Sequence, residues 1–264
     1  MEKLKVLDLF SGIGGFSLGL ERTGGFETVT FCEIEPFCRR VLAKHWPGVP
    51  CYDDIRTLTA ERLAADGITV DGIVGGFPCQ DLSVAGYGLG LAGKRSGLWF
   101  EFLRLISELR PGVVIVENVP TLVDRGLSTV LGGLAELGYD AEWHVISASS
   151  LGADHCRQRL WIVANSNERP MRPRWVAGVQ NRPKIDRTRL VHARGSRTAY
   201  GFPDWLDRVG ACGNAVVPQI PELIGRAILK SLEDVKSAFT RKDPVYRLKY
   251  KLMKACHGID IREV

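Results

Sequence analysis

A cysteine lies where a strand of an α/β sheet would end. Cys79 belongs to the segment G-G-F-P-C-Q (residues 75–80), which follows an apolar run at 70–74 that predicts a buried strand. In open α/β sheets, ligands bind beyond the carboxyl ends of the strands. A thiolate is intrinsically nucleophilic, and neighbouring cations lower its pKa. Cys79 is therefore a candidate nucleophile, with a buried structural thiol as the alternative.

A glycine-rich turn predicts a second site at the same edge. Residues 8–15 (D-L-F-S-G-I-G-G) join a predicted strand to a predicted helix, and glycines let a ligand approach the backbone there. The turn has neither the G-x-G-x-x-G fingerprint nor the P-loop lysine, which favours a compact nucleoside over a pyrophosphate cofactor. Glu33 follows the next strand, where a carboxylate can accept ribose hydroxyls. Asp54 can face an adenine amino group, and an ordinary surface acid is the alternative for both residues.

The elements that must hold these residues alternate along the first two thirds of the chain. Strand-like runs occur at residues 5–10, 26–33, 70–74, 113–117, 140–147 and 159–164, and helix-like runs at 14–22, 36–45, 97–109 and 127–137. Strands alternating with helices predict an α/β fold, with a mostly parallel sheet covered by helices on both faces. Because parallel strands end at one edge, Cys79 and the glycine-rich turn are expected to lie close together.

Composition limits the class of protein. The chain has 264 residues, 45% of them hydrophobic and 25% charged, with a net charge of +5. Its seven cysteines include no C-x-x-C pair, which argues against a zinc site or a disulfide scaffold. The first residues lack a signal-peptide pattern, and no apolar run reaches the roughly 18 residues of a membrane span. We therefore expect a soluble cytoplasmic protein with no metal and no membrane contact.

Positive charge is concentrated after residue 164. Between residues 165 and 197, nine lysines and arginines face only two acidic residues, and apolar residues are sparse. Arginines at this density can neutralise backbone phosphates and read guanine. A solvated linker is the alternative interpretation. Ordered α/β character resumes at 205–228.

Five segments, in this order, resemble motifs of the cytosine-C5 DNA methyltransferase family. They are D-L-F-S-G-I-G-G-F (8–16), G-F-P-C-Q-D-L-S (76–83), E-N-V (117–119), R-Q-R (157–159) and G-N-A-V-V-P (213–218). The resemblance implies a Rossmann-like S-adenosylmethionine-dependent methyltransferase fold with a small basic target-recognition lobe. It divides the chain into a catalytic and cofactor-binding domain (1–164), an abbreviated target-recognition region (165–204) and a return to the catalytic domain (205–264).

The resemblance also implies S-adenosyl-L-methionine as cofactor and double-stranded DNA as partner, with the target cytosine flipped out because its ring cannot be reached within the stack. It implies that Cys79 adds to C6 of the cytosine, that Glu117 lies beside N3, and that Arg157 and Arg159 supply positive charge, with Arg159 also anchoring Glu117. The implied cofactor residues are Phe10, Gly12, Gly14, Glu33, Ile34, Asp54, Ile55, Pro78, Leu98, Asn214, Ala215 and Val216. The expected DNA contacts are Gln80, Ser83, Lys94, Arg95, Arg182, Arg187 and Arg189.

The target-recognition region is short for this family, and Asp154 stands where many relatives have proline before His155. Three interpretations stay open: a short or relaxed recognition site, a partner protein that supplies DNA contacts, or a weakly active DNA-binding remnant. An RNA (tRNA) cytosine-C5 methyltransferase is the alternative enzyme. We expect a monomer. The glycine-rich stretch at 84–97 is expected to close over the nucleic acid.

Overall fold

The computed structural model describes residues 2–78, 97–168 and 214–240, the last range with side chains up to residue 233. The predicted nucleophile Cys79 lies outside these ranges, as do the predicted DNA contacts Gln80, Ser83, Lys94, Arg95, Arg182, Arg187 and Arg189. Nearly all of the predicted lid and of the predicted target-recognition region also lie outside them.

The strands in the described ranges are β1 (Leu4–Leu9), β2 (Phe26–Cys32), β3 (Cys51–Tyr52), β4 (Gly72–Gly75), β5 (Val113–Asn118), β6 (Tyr139–Ser147) and β7 (Gln158–Ser166). The helices there are α1 (Gly15–Glu21), α2 (Pro36–His45), α3 (Ala60–Ala65), α4 (Leu98–Leu109), α5 (Leu122–Arg125), α6 (Leu127–Glu136) and α7 (Gln219–Thr240). Every strand and helix predicted in the first two thirds is present, with ends shifted by at most two residues. The sequence pattern missed β3, α3 and α5, which have two, six and four residues, because so few residues show no period.

These strands form one sheet in the order β3-β2-β1-β4-β5-β7-β6. The first five strands along the chain pair in parallel, whereas β7 is antiparallel to both β5 and β6. The mostly parallel α/β fold predicted from the sequence is thus confirmed. β6 and β7 are antiparallel, and residues 148–157 between them, which include a 3-10 helix at Ala148–Leu151, form no crossover α-helix.

The direction in which strands are added reverses between β1 and β4. The chain runs from β1 through β2 to β3, and then returns to place β4 on the other side of β1. The crevice beyond the carboxyl ends of the strands at such a point is where ligands bind in α/β sheets. The glycine-rich turn follows β1 and the G-F-P segment follows β4, so the two flank this crevice. The start of β7 lies at the same edge because β7 runs opposite to β5.

An apolar core lies on each face of the sheet. One core is covered by α3, α4, α5 and α6, with Trp99 and Phe102 fully buried in it. The other is covered by α1 and α7, where Ile220, Ile224 and Ile228 recur at helical spacing. Each such side chain contributes about 1.5–3 kcal/mol on burial. None of the helices in the described ranges is long and apolar enough to cross a membrane.

Helix α7 approaches α1 closely because glycines face it. A Cβ atom on Gly15 would lie 2.4 Å from the carbonyl oxygen of Val216, and one on Gly19 would lie 2.2 Å from that of Pro218. No side chain can be accommodated at such distances without a shift of the backbone. The segment before α7 therefore returns to the glycine-rich turn at the start of the chain.

Candidate active site

The turn after β1 has a left-handed backbone at three positions. φ is 53° at Phe10, 54° at Gly12 and 83° at Gly14. Glycine adopts this conformation freely, whereas a residue such as Phe10 carries strain of about 1–3 kcal/mol. The N–H of Gly14 donates to the carbonyl oxygen of Ser11 at 2.9 Å and closes the turn. The backbone is bare of side chains at two of these positions, so a flat ligand can approach it.

Glu33 presents a carboxylate that the main chain holds in place. Its Oε2 accepts a hydrogen bond from the N–H of Gly12 at 2.6 Å, and its Oε1 accepts one from the N–H of Glu35 at 2.9 Å. The side chain lies at the end of β2 and is 8% exposed. The next residue, Ile34, is 58% exposed, which leaves an apolar surface that the ring of a ligand can cover.

Asp8 lies beneath this turn and was not assigned to the site from the sequence. Its Oδ2 accepts a hydrogen bond from the Ser17 hydroxyl at 2.6 Å, while its Oδ1 meets no donor among the described residues. Burial raises the pKa of Asp8 to about 8, with a smaller contribution from the charges of Glu33 and Glu21. Asp8 therefore ties β1 to α1 largely as a neutral acid. The available signal was an acidic residue within an otherwise apolar strand.

The indole ring of Trp46 supports the glycine-rich turn. A Cβ atom on Gly14 would lie 2.5 Å from this ring. The ring is held by a hydrogen bond from its Nε1 to Glu21 at 2.9 Å and by an edge contact with Phe31. Glu21 also accepts the N–H of Thr28 at 3.1 Å. Side chains from α1, from β2 and from the residue after α2 thus fix the position of the glycine-rich turn.

The turn after β3 carries Asp54 and Ile55. The carboxylate of Asp54 accepts the backbone N–H of Arg56 at 2.9 Å and pairs with its guanidinium at 2.8 Å. These hydrogen bonds lower the pKa of Asp54, which is therefore an ionised acceptor at neutral pH. Ile55 is 4% exposed, so its side chain belongs to the core and a ligand would meet its backbone.

Asn118 anchors the G-F-P segment after β4. Its Nδ2 donates to the carbonyl oxygen of Phe77 at 3.0 Å, and its Oδ1 accepts the N–H of Val119 at 2.8 Å. Asn118 is buried, whereas Pro78 is exposed at the crevice edge. The carbonyl fixed by Asn118 lies two residues before Cys79. The sequence pointed to Asn118 only as part of the E-N-V motif.

Glu117 is a largely buried carboxyl beside the same segment, with 12% of its side chain exposed. Its Oε1 pairs with Nε of Arg159 at 2.9 Å, and a Cβ atom on Gly76 would lie 2.8 Å from its Oε2. Glu117 lies opposite Trp161 in the sheet, so Arg159, two residues earlier on the same face of β7, reaches it. Burial raises the pKa of Glu117 although the charges of Arg159 and Arg157 oppose this. A raised pKa favours a carboxyl that can hold a proton.

Aromatic rings connect the two turns. Phe10 stacks on Phe102 with 6.4 Å between ring centroids. Trp99 lies 5.7 Å from Phe102 and 5.2 Å from Phe77. Trp99 and Phe102 belong to α4, which begins at Leu98. One helix therefore supports both the glycine-rich turn and the G-F-P segment.

The structure brings the described site residues to one edge of the sheet. Phe10, Gly12 and Gly14 follow β1, Glu33 and Ile34 follow β2, Asp54 and Ile55 follow β3, Pro78 follows β4, and Glu117, Arg157, Arg159, Leu98, Asn214, Ala215 and Val216 complete the set. Among the described residues, no cluster of His, Cys, Asp or Glu could hold a metal ion. A bare glycine turn, a fixed carboxylate and an exposed Ile34 fit a nucleoside cofactor.

Comparisons with known proteins agree on one family. A family model described as C-5 cytosine-specific DNA methylase matches residues 4–198. The type II methyltransferase M2.BsuMI of Bacillus subtilis is 38% identical over 223 residues, which cover 81% of this chain and 55% of that protein. M.Sau3AI of Staphylococcus aureus is 37% identical over 181 residues, which cover 61% and 43%. The chain thus spans about half the length of these relatives.

Solved structures share the fold. A prophage-encoded protein of E. coli matches with a TM-score of 0.53 and 32% identity, over 62% of this chain and 47% of that one. The Dnmt2 methyltransferase of S. pombe matches with a TM-score of 0.52 over 63% of this chain and 50% of that one. At 22% identity, the second likeness concerns the fold alone.

Proposed function

This chain belongs to the C-5 cytosine-specific DNA methylase family, and from that premise we propose that it transfers a methyl group to C5 of a flipped-out cytosine in duplex DNA. The observation that carries the proposal is the half-buried ion pair of Glu117 and Arg159 beside Gly76. Gly76 lies three residues before Cys79. M2.BsuMI and M.Sau3AI are type II methyltransferases, which supports DNA as the substrate class.

The proposed reaction depends on the thiolate of Cys79. Its addition to C6 forms a C–S bond and moves electron density through C5 to N3 of the ring. C5 then has the nucleophilic character of an enamine and would form a bond to the methyl carbon, while the bond from that carbon to the donor's sulfonium sulfur breaks and leaves a neutral thioether. Loss of the C5 proton and departure of the thiolate restore the C5–C6 double bond. Cysteine suits this role because it is a strong nucleophile even when only partly ionised.

Glu117 is proposed to stabilise the adduct at N3. Its buried carboxyl can donate a proton to N3 as charge develops there, and can take it back when the thiolate leaves. The raised pKa of Glu117 serves this step, because a fully ionised carboxylate cannot donate. Arg159 holds the carboxyl in one orientation at 2.9 Å, and Arg157 adds positive charge.

S-adenosylmethionine is the methyl donor of this family and would supply an electrophilic methyl group on a sulfonium. We propose that Glu33 accepts the ribose hydroxyls and that Ile34 covers one face of the adenine. Asp54 would accept the adenine amino group. The segment Asn214–Val216, which returns to Gly15, would close the other side.

The choice of target cytosine is proposed to rest on a short recognition site within residues 165–204. Arg182, Arg187 and Arg189 are the proposed contacts, with Gln80, Ser83, Lys94 and Arg95 on the catalytic side. Because residues 165–204 are short for a target-recognition region of this family, a partner protein that adds DNA contacts is the competing proposal. We propose a monomer for the free protein.

Covalent trapping tests the proposal. DNA fragments that contain 5-fluorocytosine block the last step, since fluorine cannot leave C5 as a proton does. With S-adenosylmethionine, the protein is expected to form a complex that survives denaturation. Cys79→Ala should abolish it, whereas Cys156→Ala, which removes an exposed thiol near β7, should retain it. Absence of a Cys79-dependent complex would rule out the mechanism, and labelled methyl transfer to tRNA but not to DNA would move the substrate to RNA.

A further inference from the structure

All three guanidinium nitrogens of Arg104 donate hydrogen bonds to groups beside the candidate site. Its Nη2 donates to the carbonyl oxygens of Ile55 and Leu58, both at 2.9 Å. Its Nε donates to Glu101 at 2.8 Å and its Nη1 to Glu108 at 2.7 Å. Arg104 therefore ties the turn after β3 to the middle of α4.

The two glutamates make this tie rigid. Glu101 and Glu108 lie three residues before and four residues after Arg104, on the same side of α4, so they hold the guanidinium plane from both ends. Glu108 also accepts the N–H of Ala60 at 3.0 Å, at the start of α3. The turn at residues 54–58 is thus bound to α4 at two carbonyls and, through Glu108, at the helix that follows it.

We propose that Arg104 is a positioning residue for the adenine end of the cofactor, because it holds the turn that presents Asp54. This inference rests on the proposed function, in which Asp54 accepts the adenine amino group. The carboxylate of Asp54 is fixed by Arg56 within the turn, and Arg104 joins the carbonyl oxygens of Ile55 and Leu58 in that turn to α4. A planar guanidinium bound to two carbonyls sets a direction that a point charge cannot set.

Arg104 lies farther along α4 than the residues that support the other two turns, so its loss is expected to affect cofactor binding rather than the chemical step. Trp99 and Phe102, nearer the start of the helix, contact Phe77 and Phe10 in the other two turns. The hydrogen bonds of Arg104 go to the turn after β3 and to Glu101 and Glu108 of α4. Loss of Arg104 should therefore weaken cofactor binding and leave the rate at saturating cofactor nearly unchanged.

Arg110 provides a matched control at the far end of the same helix. It also donates to a backbone carbonyl, that of Leu137 at 2.7 Å, and to a glutamate, Glu168 at 2.9 Å. It lies after the last turn of α4, away from the carboxyl ends of the parallel strands. Arg110→Gln should resemble Arg104→Gln in its effect on thermal stability and leave cofactor binding unchanged.

The experiment measures dissociation constants of S-adenosylhomocysteine and S-inosylhomocysteine by calorimetry for the whole protein. S-inosylhomocysteine carries an oxygen in place of the adenine amino group and should bind the wild type more weakly, since Asp54 cannot accept from it. Arg104→Gln is expected to weaken S-adenosylhomocysteine binding on the order of tenfold, as one to two charged hydrogen bonds would. It should weaken the inosine compound less, and kcat should stay within about twofold. Arg104→Lys should fall between the wild type and Arg104→Gln.

Three outcomes overturn the inference. The first is an Arg104→Gln variant with wild-type affinity for S-adenosylhomocysteine and wild-type discrimination against S-inosylhomocysteine. The second is an equal loss of cofactor affinity in Arg104→Gln and Arg110→Gln. The third applies if Arg104→Gln does not fold, and it is a folded Arg104→Lys variant with wild-type affinity and discrimination. A wild type that binds S-adenosylhomocysteine only as weakly as unrelated nucleosides would instead refute the proposed function, on which the inference depends.

Discussion

The proposed cofactor half and the proposed catalytic half of this site are built by different means. Beside β1, β2 and β3, the groups offered to a ligand are bare backbone at Gly12 and Gly14 and a carboxylate, Glu33, that main-chain N–H groups hold. Beside β4, β5 and β7, side chains hold one another. Arg159 holds Glu117, and Asn118 holds the carbonyl oxygen of Phe77.

This difference separates binding from reactivity. Backbone groups cannot change their charge, so the cofactor half provides shape and fixed hydrogen bonds. Side chains in a buried setting change their pKa, as Glu117 does, and so the catalytic half can move a proton. Substitutions in the catalytic half should therefore reduce the rate with binding intact, and substitutions in the cofactor half should do the opposite.

The largest effect is expected from Glu117→Gln, which removes the proton that can reach N3. We expect kcat to fall by roughly 10²–10⁴, as for loss of a general acid, with unchanged affinity for S-adenosylhomocysteine. Methyl transfer to DNA at saturating cofactor measures kcat, and calorimetry measures the affinity for S-adenosylhomocysteine. A tenfold loss of cofactor affinity in this variant would show that the two halves are not separable.

The pH dependence sharpens the same test. Because burial raises the pKa of Glu117, the protonated form persists above the usual range of a glutamic acid and is lost as pH rises through the raised value. The wild-type rate should therefore carry a decline with rising pH that Glu117→Gln lacks. Identical pH profiles for the two proteins would remove Glu117 from the proton transfer.

A smaller loss of rate is expected from Asn118→Asp. A carboxylate cannot donate to the carbonyl oxygen of Phe77, so the segment before Cys79 loses its anchor and a buried charge faces an oxygen. We expect kcat to fall on the order of tenfold or more and stability to fall by about 1–3 kcal/mol. Asn165→Asp is the control, because Asn165 lies on β7 beside the start of β5, at the end of the strands away from the site. Equal rate losses in both variants would point to stability rather than to positioning.

Gly14→Ala is expected to weaken cofactor binding and to leave kcat unchanged. Its Cβ atom would lie 2.5 Å from the ring of Trp46, at a φ of 83° that alanine disfavours. The turn must shift, and we expect about tenfold weaker cofactor binding, or about 1.4 kcal/mol. Gly24→Ala is matched, because Gly24 also has a positive φ of 80° but an open space around its Cβ. Both variants should lose stability, and only the first should lose affinity.

Asp8→Asn should have the smallest effect on activity and should change only the dependence of stability on pH. The pKa of Asp8 is about 8 in the folded chain and 3.8 in its ordinary state, so the unfolded chain releases the proton first. The free energy of unfolding should therefore fall as pH rises between these values, by up to about 1.4 kcal/mol per pH unit. Urea denaturation should show this decline in the wild type and not in Asp8→Asn. Asp71→Asn, at an acid that accepts the N–H of Lys5 nearer the surface, should retain it.

Much of the fold could be predicted from the sequence because its strands and helices have strong periods. The predicted helix at 36–45 matches α2 residue for residue, since Pro36 starts it and its apolar residues recur at helical spacing. The two-residue β3 could not be found in this way. The sequence pattern did not specify the antiparallel pairing of β7 either, because that pairing depends on which strand lies next to β7 in the folded sheet.

For the site, residue type and motif order predicted which side chains would carry the chemistry. The apolar runs before Cys79, Glu117 and Glu33 predict that these residues follow strand ends. Their roles stay predictions. The contact of Arg159 with Glu117 was expected from the family resemblance and is confirmed, whereas other supporting contacts were not visible in the sequence. The contact of Trp46 with Gly14 and that of Arg104 with Ile55 join residues 32 and 49 positions apart. No local pattern encodes such a contact.

The sequence by itself determined an α/β chain with a thiol, a carboxyl and a glycine turn at strand ends. Local periodicity and turn chemistry depend on near neighbours, which is why these features could be predicted. Only the tertiary structure decided that Glu117 is buried enough for its pKa to rise, that Arg159 reaches it from an antiparallel strand, and that α4 supports three turns of the site. Burial and long-range pairing depend on how the whole chain packs, and a residue's immediate neighbours in sequence do not specify them.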